Sequence, residues 1–222
     1  MTTTYDPELY RLSASNILRE CNALAQGHFV YTSGRHGDWY INKDAVYPHP
    51  DKLDPLTAML AAAIESLRLN VQTIVSPAVG AITLGALVAH QLYQRGRQIN
   101  AVYAEKDGDE FTLKRGYASF VRNGARCVVV EDNLTTGGSV KKVIKTVRDN
   151  GGEVVAVAAL CNRGGVTTEG LEVPHLISLL DIYLRDWTEQ DCPLCREGVP
   201  VSVSLGKGRD FLARQGASRT SA

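Results

Sequence analysis

Glu131 and Asp132 close an apolar run, RCVVVED, and the chain passes from them straight into NLTTGGS. Asn133, Leu134, Thr135, Thr136, Gly137, Gly138 and Ser139 read as a loop between a strand end and a helix start. Such a loop turns its backbone N–H groups towards one centre at the positive end of the helix dipole. Gly137 and Gly138 permit close approach and positive φ, while the hydroxyls of Thr135, Thr136 and Ser139 add donors. The chemistry is that of a phosphate cradle, although neither a GxxxxGKS/T nor a GxGxxG pattern occurs in the chain. Two carboxylates next to a phosphate repel it, so they must face a group that wants acceptors or a cation. A ribose diol, or a magnesium ion held partly through water, meets that need.

A second spacing with chemical content is Cys192-x-x-Cys195 in DCPLCREG. A structural zinc site needs about four ligands, and no second CxxC or closely spaced HxxxH supplies the other two. Solvated thiols are therefore the expectation, with zinc, a redox role or a zinc shared between subunits left open. Cys127 and Cys161 stand inside apolar runs and read as small core residues. Lys+Arg and Asp+Glu balance at 24 each, which excludes a broad electrostatic grip on nucleic acid or an anionic membrane. The start, MTTTYDPELYRL, has no basic segment followed by an apolar one, so neither a secretory signal nor a membrane span is expected and a cytoplasmic location is the default.

The elements that must hold these residues follow from periodicity. Residues 7–21 carry Leu9, Leu12, Ile17 and Leu18 at helical spacing. HFVYTSGRHGDWYINKD reads as two short strands around a Ser-Gly-Arg turn. Helices are expected over residues 55–69, over the LGALVAHQLYQRG stretch ending at Gly96, and over 140–150. Strands are expected at 73–78, 101–106, 127–132, 154–163 and 175–182. Buried strands alternating with helices predict an α/β fold, a mostly parallel sheet covered on both faces. Ligands of such sheets bind outside the carboxyl ends of the strands, where Glu131 and Asp132 would lie. The stretch from Gly206, GKGRDFLARQGASRTSA, loses its apolar periodicity, and its last ten or so residues read as disordered.

A buried strand entering two acids and then a Thr/Gly/Ser loop resembles the donor motif of the type I phosphoribosyltransferases. The resemblance implies a twisted, mostly parallel sheet with a small N-terminal hood, of about residues 1–50 plus part of 183–205, in one domain over 1–205 with a flexible 206–222 tail. It also implies that Glu131 and Asp132 hold the ribose hydroxyls of phosphoribosyl pyrophosphate, that residues 133–139 hold its 5′-phosphate, and that Mg²⁺ enters with the ligand, with Asp132 near it. FVYTSGRHGDWYIN, Asn162-Arg163 and CPLCREGVPV are similar to stretches of the orotate phosphoribosyltransferases, over roughly residues 29–200. That likeness implies Arg163 against orotate, where an Arg fork suits a carboxylate and ring carbonyls, with Thr135 and Tyr40 beside the base. Arg35 and His36 in the hairpin turn either reach the ligand or merely decorate the turn.

Phosphoribosyl transfer develops positive charge on the sugar and expels a highly charged pyrophosphate, so preorganised cations are required. Lys106 leaves a strand end, and Lys114 and Arg115 follow a Gly/Asp-rich stretch that could close as a lid. The family's mobile loop carries a lysine into the neighbouring subunit's site, which implies a homodimer with shared sites; either Lys106 or Lys114 would be that residue. Two positions depart from the family pattern. Members commonly have a lysine just before the Ser-Gly-Arg turn, where this chain has Thr32, and another after Pro-Ala, where it has Val79 and Gly80. A different purine or pyrimidine acceptor, or a regulator that binds the donor without turnover, are the alternatives these departures keep open.

Overall fold

Runs of β-branched residues without polar alternation are stable only when both faces are covered. In the computed structural model, which describes residues 5–182 and 184–220, such runs form the central strands. The chain runs α1 (Pro7–Glu20), β1 (Leu24–Val30), β2 (His36–Ile41), α2 (Pro50–Ser66), β3 (Thr73–Pro77), α3 (Ile82–Gln94), β4 (Asn100–Asp107), β5 (Glu110–Thr112), β6 (Arg126–Leu134), α4 (Gly138–Asp149), β7 (Glu153–Asn162), α5 (Thr168–Leu171), β8 (Leu176–Asp181), β9 (Asp186–Trp187), α6 (Pro193–Arg196) and α7 (Gly208–Thr220). Two units divide it: Met1–Ser15 with His49–Ile182, and Asn16–Pro48 with Tyr183–Ala222. Residues 1–4, part of the polar start, and residues 221–222 of the expected tail lie outside the described residues.

The first unit carries a six-stranded sheet in the order β5-β4-β3-β6-β7-β8. β3 pairs in parallel with β4 and β6, and β7 in parallel with β6 and β8; only β5 is antiparallel. The chain builds from β3 towards β4 and then returns to place β6 on the other side of β3. The strand order therefore reverses between β3 and β6, and the carboxyl ends there open a crevice. β6 is the strand that ends in the two acids. The α/β expectation is met, strand by strand.

Helix α4 shows how the sequence positions that end of the sheet. Val140, Val143, Ile144 and Val147 recur at i, i+3, i+4 and i+7 and are all buried. They pack in one core with Val129, Val157 and Leu171, which locks the helix start against the tips of β6 and β7. Cys127 and Cys161 are buried in this unit as expected, and burial pushes both thiols up to about 12.

The Gly/Asp-rich stretch after β4 is a hairpin rather than a free connection. Asp107 pairs with Glu110 across it, Phe111 and Leu113 are buried, and Thr146 Oγ1 of α4 donates to the Phe111 carbonyl at 2.8 Å. The sequence hid β5 because it is three residues long.

The second unit carries a three-stranded antiparallel sheet in the order β1-β2-β9. Two expectations change here. The stretch read as a tail is helical over α7, because Phe211 is buried with its ring edge-on to His36 at 4.8 Å. The thiols read as solvated are not: Cys192 is 0% exposed and Cys195 only partly exposed, beside the buried His28 and His36. His36 therefore does not decorate the turn, and Arg35 is held by Asp186, Nε to Oδ1 at 2.8 Å. Among the described residues no helix is long and apolar enough to cross a membrane.

Candidate active site

β6 runs further than the apolar run suggests. Asn133 and Leu134 are still strand residues, paired with Cys161 and Asn162 of β7. The loop proper is thus shorter than residues 133–139: Thr135, Thr136 and the N-cap Gly137, before α4 starts at Gly138. Gly137 adopts φ 73°, the left-handed region, and a Cβ there would meet Leu171 Cδ2 at 2.9 Å. Glycine is required on both counts. Gly137 offers no side-chain cap to α4, so the N–H groups of the first turn beyond Gly138 are left for an anion. Thr136 Oγ1 accepts from Gly138 N at 3.3 Å and braces the turn.

The loop after β7 is built onto this cradle. Arg163 N and Gly164 N both donate to the Leu134 carbonyl, at 2.9 and 3.2 Å. Arg163 Nε donates to Thr135 Oγ1 at 2.9 Å, so the arginine and the cradle form one hydrogen-bonded structure. Asn162 holds the turn from below: its Nδ2 donates to the Val166 carbonyl at 2.9 Å, and its Oδ1 accepts from Val166 N at 3.0 Å. Two residues outside the expected set, Asn162 as a brace and Gly164 as a spacer, shape the loop that meets the cradle. The Asn-Arg-Gly-Gly run was the only signal for them. A Cβ on Gly164 would stand 1.5 Å from the Thr135 carbonyl oxygen, so the two loops touch backbone to backbone. Gly164→Ala is expected to push the cradle aside and to cost on the order of 2 kcal/mol of stability, read by chemical denaturation. Gly165→Ala, with open space around its Cβ, is the comparison, carrying only the strain of its left-handed φ.

Glu131 and Asp132 are both buried, 8% and 2% exposed. Glu131 Oε1 accepts from Asp132 N at 3.0 Å. An open cavity of about 130 Å³ is lined by Glu131 and residues 133–140, the whole expected cradle; Asp132 is not in that lining. Asn133 Oδ1 is a buried acceptor without a hydrogen-bond partner. The donors gathered at this strand end are all oxygens, the set that suits a hard divalent cation such as Mg²⁺.

The remaining candidates are not in the lining of that cavity. Lys106 is near the end of β4, opposite Phe111, and β3 stands between β4 and β6. Lys114 Nζ lies 3.8 Å from Asp107 Oδ2, an exposed pair worth little to stability. Arg115 Nε pairs with Glu105 Oε1 at 2.8 Å. Tyr40 belongs to β2 of the second unit, its ring tilted on Phe29 at 5.4 Å. The departures from the family pattern are Thr32 in the hairpin turn and Val79 after β3, the latter 82% exposed.

Comparison with known proteins gives the family. The family described as "Phosphoribosyl transferase domain" matches residues 42–174. An orotate phosphoribosyltransferase of Caldicellulosiruptor bescii is 35% identical over 187 residues, 83% of this chain and 92% of that protein. The one of Thermotoga petrophila is 35% identical over 192 residues, 86% and 97% of the two chains. The crystal structure of orotate phosphoribosyltransferase from Aeropyrum pernix shares the fold, with a TM-score of 0.62 at 24% identity, over 75% of this chain and 92% of the other. With an acid-tipped strand, a glycine-capped anion cradle and relatives matched over nearly their full length, the chain belongs to the phosphoribosyltransferase family, among the orotate phosphoribosyltransferases.

Proposed function

We propose that the protein transfers the phosphoribosyl group of phosphoribosyl pyrophosphate to orotate, giving orotidine 5′-monophosphate and pyrophosphate in pyrimidine synthesis. The observation that carries this is the continuity of the cavity, from the Glu131 carboxylate to the N-terminus of α4. The cradle takes the 5′-phosphate through backbone N–H groups and the Thr135, Thr136 and Ser139 hydroxyls. Glu131 and Asp132 accept from the ribose hydroxyls and so fix the sugar ring.

Arg163, already oriented by Thr135, presents its guanidinium to the carboxylate and ring carbonyl of orotate. The bond from C1′ to the pyrophosphate oxygen breaks and one to the orotate ring nitrogen forms. Orotate reacts as its ring anion, so no strong general base is needed. Asp132, with Asn133 beside it, is the residue to hold Mg²⁺ through the ligand or through water. Mg²⁺ bound with the donor supplies charge neutralisation at the departing pyrophosphate. Lys106, and Lys114 from a partner subunit in a cytoplasmic homodimer, supply further positive charge to the same group.

Thr32 and Val79 stand where relatives of this family commonly carry lysines, which favours one rival: a chain that binds the donor and uses another base, or none. Pyrophosphate release from the purified protein with Mg²⁺, phosphoribosyl pyrophosphate and a panel of bases separates the readings. Turnover with orotate, and little with uracil, adenine or hypoxanthine, is the expected result. Turnover only with another base overturns the acceptor, and donor binding without any turnover identifies a regulator.

A further inference from the structure

We propose that His28, His36, Cys192 and Cys195 form a four-ligand structural zinc site within the second unit. The ligand atoms of these four residues lie within 4.8 Å of one another. Cys195 Sγ is 3.3 Å from His36 Nδ1 and 3.7 Å from His28 Nε2, and Cys192 Sγ is 3.6 Å from His28 Nε2. Around a zinc ion with Zn–S of ~2.3 Å and Zn–N of ~2.0 Å, tetrahedral neighbours stand roughly 3.3–3.8 Å apart. Those three sulfur–nitrogen edges already have that length. The His28 Nε2 to His36 Nδ1 edge, at 2.8 Å, needs to open by only about half an ångström.

The protonation pattern points the same way. His28 Nδ1 lies 2.8 Å from the Val199 carbonyl oxygen, which can only accept, so Nδ1 carries the proton and the Nε2 lone pair faces the cluster. A backbone carbonyl fixing the tautomer of a ligating histidine is the usual outer partner of a metal site. His28, His36 and Cys192 are 2%, 0% and 0% exposed. Alone, these buried groups share one good hydrogen bond, His36 Nδ1–H to His28 Nε2, and weak thiol contacts. An ion would use all four ligand atoms. Two thiolates, having released their protons to solvent, balance the charge of Zn²⁺ and leave a neutral centre suited to burial. Two sulfurs and two imidazoles in a tetrahedral set select zinc over hard cations such as magnesium.

Four protein ligands leave no open position, so the site is structural rather than catalytic. Its work is to clip β1 and β2 to the turn of α6, residues as much as 167 positions apart in sequence. The two histidines are eight positions apart and the cysteines three, so no single local motif announces the set. The inference rests on the second unit alone and is independent of the proposed reaction.

The test is the metal content of the full-length protein, produced with zinc in the medium and purified without chelator, beside Cys192→Ser/Cys195→Ser. About one zinc per chain is expected in the wild type and near none in the variant. Since the variant could fail to fold, the reduced and stripped wild-type protein is also titrated with Co²⁺. A tetrahedral cobalt–thiolate absorption, abolished by Zn²⁺, and a melting temperature that falls on stripping and recovers with zinc are expected. No uptake by the reduced protein, equal zinc in the double variant, or a stoichiometry of about half an ion per chain, as for a site shared between two copies, would each overturn the proposal.

Discussion

Replacing Glu131 and Asp132 together by glutamine and asparagine is expected to weaken binding of phosphoribosyl pyrophosphate by about 10²–10⁴-fold. In the proposed function each carboxylate accepts from a ribose hydroxyl, and a hydrogen bond to a charged group contributes about 1.5–3 kcal/mol. Two of them give roughly 3–6 kcal/mol, and each 1.4 kcal/mol is about a factor of ten. The amides keep the size and shape of the acids, so the buried strand end of β6 stays packed. The melting temperature should therefore stay within a few degrees of wild type, even though both residues are buried. A variant that melts normally and binds the donor weakly, read by calorimetry with Mg²⁺ present, separates a binding role from a folding one. Unchanged affinity in a folded variant removes the acids from the donor site.

The second large effect belongs to Arg163. Truncation to alanine is expected to lower kcat/KM for orotate by about 10²–10³-fold, since losing one partner of a buried charge pair costs about 2–5 kcal/mol. Donor affinity should change far less, because the cradle loses the Nε bond to Thr135 but keeps its glycines and its α4 N-terminus. Arg163→Lys should recover little of the lost activity, as an ammonium cannot reproduce a planar fork already anchored at Nε. Steady-state kinetics with orotate varied at saturating donor reads this split. Equal loss of donor and orotate affinity would mean that the arginine only props up the loop.

What could be read from residues alone was what local pattern encodes. The unbroken apolar runs of β3, β6 and β7 announced a covered parallel sheet, and the acids at the end of β6 fell at the strand-order reversal. The loop that lines the cavity beside Glu131 was legible because its residues are contiguous in sequence. Its limits were not: pairing with β7 carries β6 on through Asn133 and Leu134, a long-range fact with no local signature. The need for Gly164 has no local signature either, since it comes from the Thr135 backbone packed against it. The histidines of the second unit escaped for the same reason. His28 and His36 alternate with aromatics in a hairpin, and only the fold brings Cys192 and Cys195 to them. The α7 helix was missed because it is held by one large apolar residue, Phe211, rather than by a periodic stripe.

The central claim is that one ligand is read in two parts, the sugar diol by carboxylates and the phosphate by the cradle. The most direct measurement compares the affinities of ribose 5-phosphate and 2-deoxyribose 5-phosphate for the wild type and for the Glu131→Gln/Asp132→Asn variant. The wild type should prefer the intact diol by about tenfold or more, and the variant should bind the two sugars alike, with the 5′-phosphate still held. The same preference in both proteins would contradict the account.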